Sequence, residues 1–400
     1  MSAIGQTVKL LSDESVSAQD FSVFLKKARE ISLNAIDEAA ATDSTDCFPA
    51  QTFERIAEAG LLEAAIPKKY GGAGLGTTAG TTFELLTLLK NLGYGNLVVG
   101  RIFEGHFNAW QLIGEFGKPE QIQKLADGAR REKHLFGVWN TEAADGVEIS
   151  SNGANNFQLG GAKTFASGAG FVARPIVTGK LVGGGWQMFV APLEKMQIVV
   201  DDSWWKPLGM RSSRSYRVDF SGVKLSAENF IGKPNDFYEQ PFFGGGAIRF
   251  AAAQLGAAEL LFDLTREFLR ELNRADDAFQ QMRLGEMAIA VESGNQWLKS
   301  AAKVFDKFLY EKKESQIERV IHYAGMMRTA IEQICQNIML NCERSIGSRG
   351  LLKPYHFERV IRDLKTYLRQ AAPDAVLTGI GKFALESEKR NGNLWQDDER

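Results

Sequence analysis

Residues 247–273 read AIRFAAAQLGAAELLFDLTREFLRELN, and their apolar positions recur at spacings of three and four. That is the period of an α-helix with one continuous apolar face. The most apolar part, Ala247–Phe262, still carries Arg249, Gln254 and Glu259. No stretch of the chain approaches the roughly 20 apolar residues that span a bilayer, so the segment reads as a buried helix. The same spacing continues in Ala278–Tyr310, Ser315–Glu343 and His356–Gln370. Four long helices in series predict a four-helix bundle over residues 236–400. Their length and few internal breakers predict that they also pack against other subunits.

Upstream the period changes to two. Between residues 135 and 235, short apolar runs such as Arg174–Val177, Gln187–Val190, Gln197–Val200 and Arg217–Phe220 are separated by Gly, Asp, Ser and Pro. This pattern predicts a small antiparallel β domain, long enough at about 100 residues for its own core. Residues 1–134 return to a helical pattern. Phe53, Ile56, Ala57 and Leu61 form one apolar face, Lys69–Gly74 is a glycine-rich break, and further helices are expected over Thr82–Leu92 and Gly100–Phe116. The chain is therefore read as mostly α with a middle β domain.

Composition narrows the function classes. Four hundred residues, 44% apolar and 24% charged, describe a globular protein of two or three domains. A formal net charge of −2 argues against a chain built to neutralise nucleic acid or anionic membrane. The N-terminus lacks a basic start followed by an apolar run, so no secretory signal is read. The three cysteines, Cys47, Cys335 and Cys342, form no CxxC pair and no disulfide framework. These features predict a cytoplasmic protein with reduced thiols and no metal site, with Cys335 and Cys342 in helix packing.

Two stretches of the middle segment, Phe136–Gly146 and Leu159–Ala169, place hydroxyl and aromatic residues close together at strand ends. Such a surface either packs a sheet and caps its turns, or offers hydrogen bonds to the edge of a flat ring while an aromatic covers its face. Five local patterns occur in order along the chain: Phe53–Leu61 followed by Ile66–Gly72; Trp139-Asn140-Thr141-Glu142; Lys163-Thr164-Phe165-Ala166-Ser167; Leu208-Gly209-Met210-Arg211-Ser212-Ser213; and Gly347-x-x-Gly350 followed by Glu358-Arg359-x-x-Arg362-Asp363. Together they resemble the acyl-CoA dehydrogenase superfamily of flavoproteins over nearly the whole chain.

The resemblance implies an N-terminal α domain, a middle β domain and a C-terminal bundle, assembled as a homotetramer around FAD. By position, Trp139 and Thr141 are expected along the isoalloxazine, Phe165 against one ring face and Ser167 near N5. Gly347 and Gly350 are expected near the adenosine diphosphate part, and Arg274 is a phosphate candidate. Arg249 matches the family's bundle arginine and either faces the substrate channel or forms an intersubunit ion pair.

Two departures bear on the reaction. The family's catalytic glutamate follows the Arg-Asp helix, where ungapped alignment places Ala371. Some members carry it instead just before the bundle arginine, where this chain has Ile248. Neither side chain accepts a proton. Asp374 and His106 are the substitute candidates. Asp374 alternatively opens a helix after Pro373, and His106 either serves oxygen chemistry on a reduced flavin or fills a structural place. The expected activity is an FAD-dependent oxidation at the CH–CH group of an acyl thioester or similar compound. The alternatives are a monooxygenase supplied with reduced flavin by a partner reductase or electron-transfer protein, and a non-catalytic flavin-binding or assembly protein.

Overall fold

The computed structural model describes residues 21–153, 155–369, 372–390 and 394–395. Five helices come first: α1 (Ser22–Thr45), α2 (Ala50–Glu58), α3 (Thr82–Gly95), α4 (Leu97–Phe116) and α5 (Pro119–Arg131). Asn96 separates α3 from α4. Its extended backbone (φ −152°, ψ 111°) stops one helix, and its side-chain oxygen caps the next by accepting the Val98 N–H at 3.0 Å. Fifteen of the twenty residues of α4 are buried, so this helix is enclosed on all sides.

Ten strands follow: β1 (Phe136–Trp139), β2 (Glu148–Ser151), β3 (Asn156–Gly160), β4 (Ala162–Ala166), β5 (Arg174–Leu181), β6 (Trp186–Val190), β7 (Val199–Asp201), β8 (Tyr216–Asp219), β9 (Lys224–Ser226) and β10 (Phe230–Ile231). The larger sheet has the order β10-β6-β5-β2-β3-β9 with β1 also beside β5, and the smaller one is β4-β8-β7. Most pairs are antiparallel, but β1 and β2 run parallel to β5, which makes the larger sheet mixed. The run expected over Gln197–Val200 becomes a strand only from Val199. Val199 and Val200 are both exposed there, on the edge strand of the smaller sheet.

The chain then becomes helical again as α6 (Ala247–Glu271), α7 (Ala278–Glu311), α8 (Ile317–Gly350), α9 (Phe357–Tyr367) and α10 (Pro373–Glu386). Asp277 caps α7 by accepting the N–H groups of Phe279 and Gln280 at 2.9 and 3.2 Å. Glycines bring helices to backbone contact. A Cβ at Gly93 would stand 2.2 Å from the Ala253 oxygen, and one at Gly256 would stand 2.0 Å from the Lys90 oxygen. These contacts weld α3 to α6. Cys335 and Cys342 lie buried in α8, with both thiols pushed up by burial, and Cys47 is exposed. No described helix is long and apolar enough to cross a membrane.

Two of the sequence patterns meet in space. The Leu208–Arg211 loop docks on α9, where Gly209 N–H donates to Thr366 Oγ1 at 2.9 Å and Met210 N–H donates to Asp363. A Cβ at Gly209 would stand 2.2 Å from the Arg362 oxygen, so only glycine permits the approach. Arg362 in turn reaches Asp43 of α1 at 2.6 Å. One helix thus ties the β domain to both helical parts of the fold.

Candidate active site

The junction of α4, β1 and the β4–β8 turns collects most of the residues singled out in the middle segment. Strand β4 ends in a bulge against β8 between Lys163 and Ala166. Phe165 sits there at φ +53°, 48% exposed. A bulge re-aims one side chain out of the sheet, and here it turns Phe165 edge-on to Trp204 with ring centroids 4.9 Å apart. Two residues on, Ser167 Oγ lies 2.8 Å from Ser215 Oγ, which lies 2.7 Å from Ser213 Oγ. The Trp139 indole N–H donates to the Ser167 carbonyl at 3.0 Å. Trp139 is itself buried, so its polar atom is spent on the protein and it props the serine from behind. Thr141 is exposed on the loop after β1, and its carbonyl accepts the Thr164 N–H at 2.9 Å.

Lys163 ties that loop to the sheet. Its side chain is fully buried, donates to the Asn140 carbonyl at 3.0 Å and to Thr178 Oγ1 at 3.1 Å, and pairs with Glu142. Burial draws the lysine pKa down, and the Glu142 carboxylate opposes that pull. The lysine and its loop partners Asn140 and Glu142 stood in two of the sequence patterns, but their meeting with Thr178 of β5 is one that no local period reveals. The same holds for Ser215 and Trp204.

The bundle-side residues fall apart from this group in informative ways. Gly347 breaks α8 at φ +57°, ψ −165°, is exposed, and has open space where a Cβ would point. Gly350 is buried, and a Cβ there would strike the Ile346 Cβ at 2.4 Å, so its glycine serves packing within its own helix end. Arg274 lies 3.5 Å from Asp277 in the α6–α7 turn. With its amide set to satisfy its neighbours, Gln280 accepts from Arg274 at 2.8 Å and Arg283 at 3.1 Å, and donates to Ser345 at 2.9 Å. That amide ties the arginine turn to the residues just before Gly347.

The two substitute bases lie outside the junction's open surface. His106 is fully buried in α4; its Nδ1 accepts the Phe136 N–H at 3.1 Å, leaving the Nε2 proton for the Leu62 carbonyl at 2.9 Å. Both nitrogens are thereby committed, and burial pulls the imidazole pKa down to about 4, so it is a neutral strut between α4 and β1. Asp374 is exposed in the first turn of α10, where a carboxylate complements the helix dipole. Ala371 lies outside the described residues, and Ile248 is buried at the start of α6. Arg249 beside it is also buried and donates through Nε to Asn108 Oδ1 in α4.

Surface hollows of about 660 Å³ beside Tyr70 and α5, and of about 390 Å³ between α8 and α9, share no residue with these groups. Comparison with known proteins gives the junction its context. The model of the acyl-CoA dehydrogenase N-terminal domain matches residues 19–131, and that of the C-terminal domain matches residues 248–372, together more than half of the chain. The chain belongs to the acyl-CoA dehydrogenase family.

Among its relatives, the probable acyl-CoA dehydrogenase YngJ of Bacillus subtilis is 26% identical, over 82% of this chain and 87% of its own length. Dibenzothiophene monooxygenase of Rhodococcus qingshengii is 24% identical, over 84% and 86%. The FMN-bound structure of TdsC from Paenibacillus sp. A11-2 superposes with a TM-score of 0.83 at 18% identity, covering 93% of this chain and 99% of that one. At that identity the superposition speaks for the acyl-CoA dehydrogenase fold alone.

Proposed function

We propose that the protein is a flavin-dependent oxidoreductase that transfers oxygen to a small substrate, using flavin reduced by a separate reductase. The observation that carries this reading is the lack of a carboxylate at both family base positions. Ile248 is apolar and buried, position 371 is alanine, and Asp374 stands exposed on a helix start. α-Proton removal needs such a base within hydrogen-bond reach; oxygen transfer does not.

The residues present fit a flavin. Phe165 and Trp204 present aromatic surface at the bulge, and the serine chain Ser167–Ser215–Ser213 offers hydroxyl donors beside it. Gly347 leaves open space for a close approach, with Arg274 near it to face phosphate. In this reading Phe165 would cover one ring face, Ser167 would donate near N5 and Thr141 would meet the pyrimidine edge, with Trp139 and Lys163 holding those groups in place. A reduced flavin held by these residues would supply the two electrons, and solvent the proton, that let one atom of dioxygen enter the substrate and the other leave as water. Fixed hydroxyl dipoles at Ser167 favour charge that develops on the ring without reorganising. Either FAD or FMN meets these requirements. FAD alone needs the Gly347 and Arg274 end, and that end is completed by a second subunit in a homotetramer.

Two titrations test the proposal. The purified protein is expected to take up FAD or FMN with a shifted flavin absorbance, and no affinity for either sinks it. Anaerobic mixing of the flavin-loaded protein with acyl-CoAs of several chain lengths is expected to leave the flavin colour unchanged. Bleaching establishes the second reading, dehydrogenation, which the resemblance to YngJ favours.

A further inference from the structure

The helical wall of the junction holds a buried charge that the protein itself leaves half answered. Asn108 of α4 donates to Glu104 and accepts from Arg249 Nε, so one amide joins a carboxylate to a guanidinium. Glu104 also pairs with Arg101 and accepts from Tyr367 OH at 3.4 Å. Arg101 thus pairs with the carboxylate directly, while Arg249 reaches it only through the Asn108 amide. Glu104 is the one charge that counters the desolvation of Arg249, which draws its pKa down to about 10. Arg249 is 3% exposed, and its acceptor among the described residues is Asn108 Oδ1 at Nε, which leaves the fork of Nη1 and Nη2 free to take a ligand. Nη2 lies beside the glycine run that leads into α6, 3.0 Å from where a Gly246 Cβ would stand.

A guanidinium drawn this far out of water, with only one of its donors paired by the protein, gains most from a partner that answers its fork. The partner that matches a planar fork of donors and one surplus positive charge is an oxyanion, bound bidentately. The helix that carries Asn108 and Glu104 also packs on the junction. Gly105 of that helix lies against Gly137 and Val138 of β1, and Ile102 lies near Gly168 beside Ser167.

We propose that Arg249, backed by Asn108 and the Arg101–Glu104 pair, receives the anionic head of the substrate, which is thus a small organic acid bearing a carboxylate or a sulfur oxyanion. The word substrate rests on the function proposed above; the anion site does not. Neutral compounds of the same shape leave the charge unanswered and bind weakly.

The test is a calorimetric titration of the full-length, flavin-loaded protein with sodium acetate and sodium selenate, ionic strength held constant with chloride. Saturable binding of either probe is expected, at least about tenfold weaker in Arg249→Gln and partly restored in Arg249→Lys. Arg266→Gln, on the exposed flank of α6, is expected to bind as wild type does. Flavin absorbance of the same samples is read in parallel, so loss of flavin and loss of the anion are scored separately. If Arg249→Gln does not fold, selenate soaked into wild-type crystals is expected to give an anomalous peak at the Arg249 fork. No saturable binding in wild type, binding unchanged in Arg249→Gln, or selenium only at surface positions overturns the proposal.

Discussion

The Trp139 indole N–H and the Ser167 carbonyl oxygen lie 3.0 Å apart, joining the end of β1 to the turn after the β4 bulge. Replacing Trp139 with Phe removes the donor and leaves that carbonyl without its partner. The expected cost is about 2 kcal/mol of stability, read from urea unfolding, together with weaker flavin binding by fluorescence titration. Unchanged flavin affinity removes Trp139 from the support of the site.

Lys163 sets a larger effect. Lys163→Met removes a fully buried charge and strands Glu142 and the Asn140 carbonyl. Breaking such a pair from one side costs on the order of 3 kcal/mol. Denaturant midpoints measure that loss. Hydrogen exchange is expected to show the 139–142 loop opening faster in the variant than in wild type.

Phe165 gives the opposite sign. At φ +53° a side chain is strained, and Phe165→Gly relieves about 1 kcal/mol of that strain while deleting the aromatic surface. Stability is expected to hold or rise as flavin affinity falls. Falling stability with intact flavin affinity makes Phe165 a packing residue only.

Acid stability separates two buried groups. His106 titrates near 4 in the folded protein against 6.5 unfolded, so its contribution is whole above pH 6.5 and is lost as the pH drops toward 4. The total is on the order of 3 kcal/mol. Asp363 runs the other way. Burial raises its carboxyl to about 6, against the pull of Arg359, so folding is favoured by acidification from pH 6 toward 4. Stability curves of His106→Gln are expected to flatten over this window, and those of Asp363→Asn to fall more steeply than wild type.

Much of the fold was legible because its signals are local. The helix starting at Ala247 and the alternation at Arg217–Phe220 are written in consecutive residues, and α6 and β8 lie close to those bounds. The mixed sheet was not legible, since the parallel pairing of Phe136–Trp139 with Arg174–Val177 depends on topology. In the site, the motif residues around Phe165 and Ser167 do gather, but their supports come from distant segments: Ser215, Trp204 and Thr178. His106 and Asp374 show the limit of reading residue type. The sequence left each between a chemical and a structural role, and burial and hydrogen-bond partners weigh toward a strut for the one and a helix start for the other.

The glycine contacts between α3 and α6 bear on how the molecule breathes. With Gly93 on the Ala253 oxygen and Gly256 on the Lys90 oxygen, those two rods can neither slide nor part without prying main chain from main chain. An alanine at either glycine therefore acts as a wedge driven into the masonry.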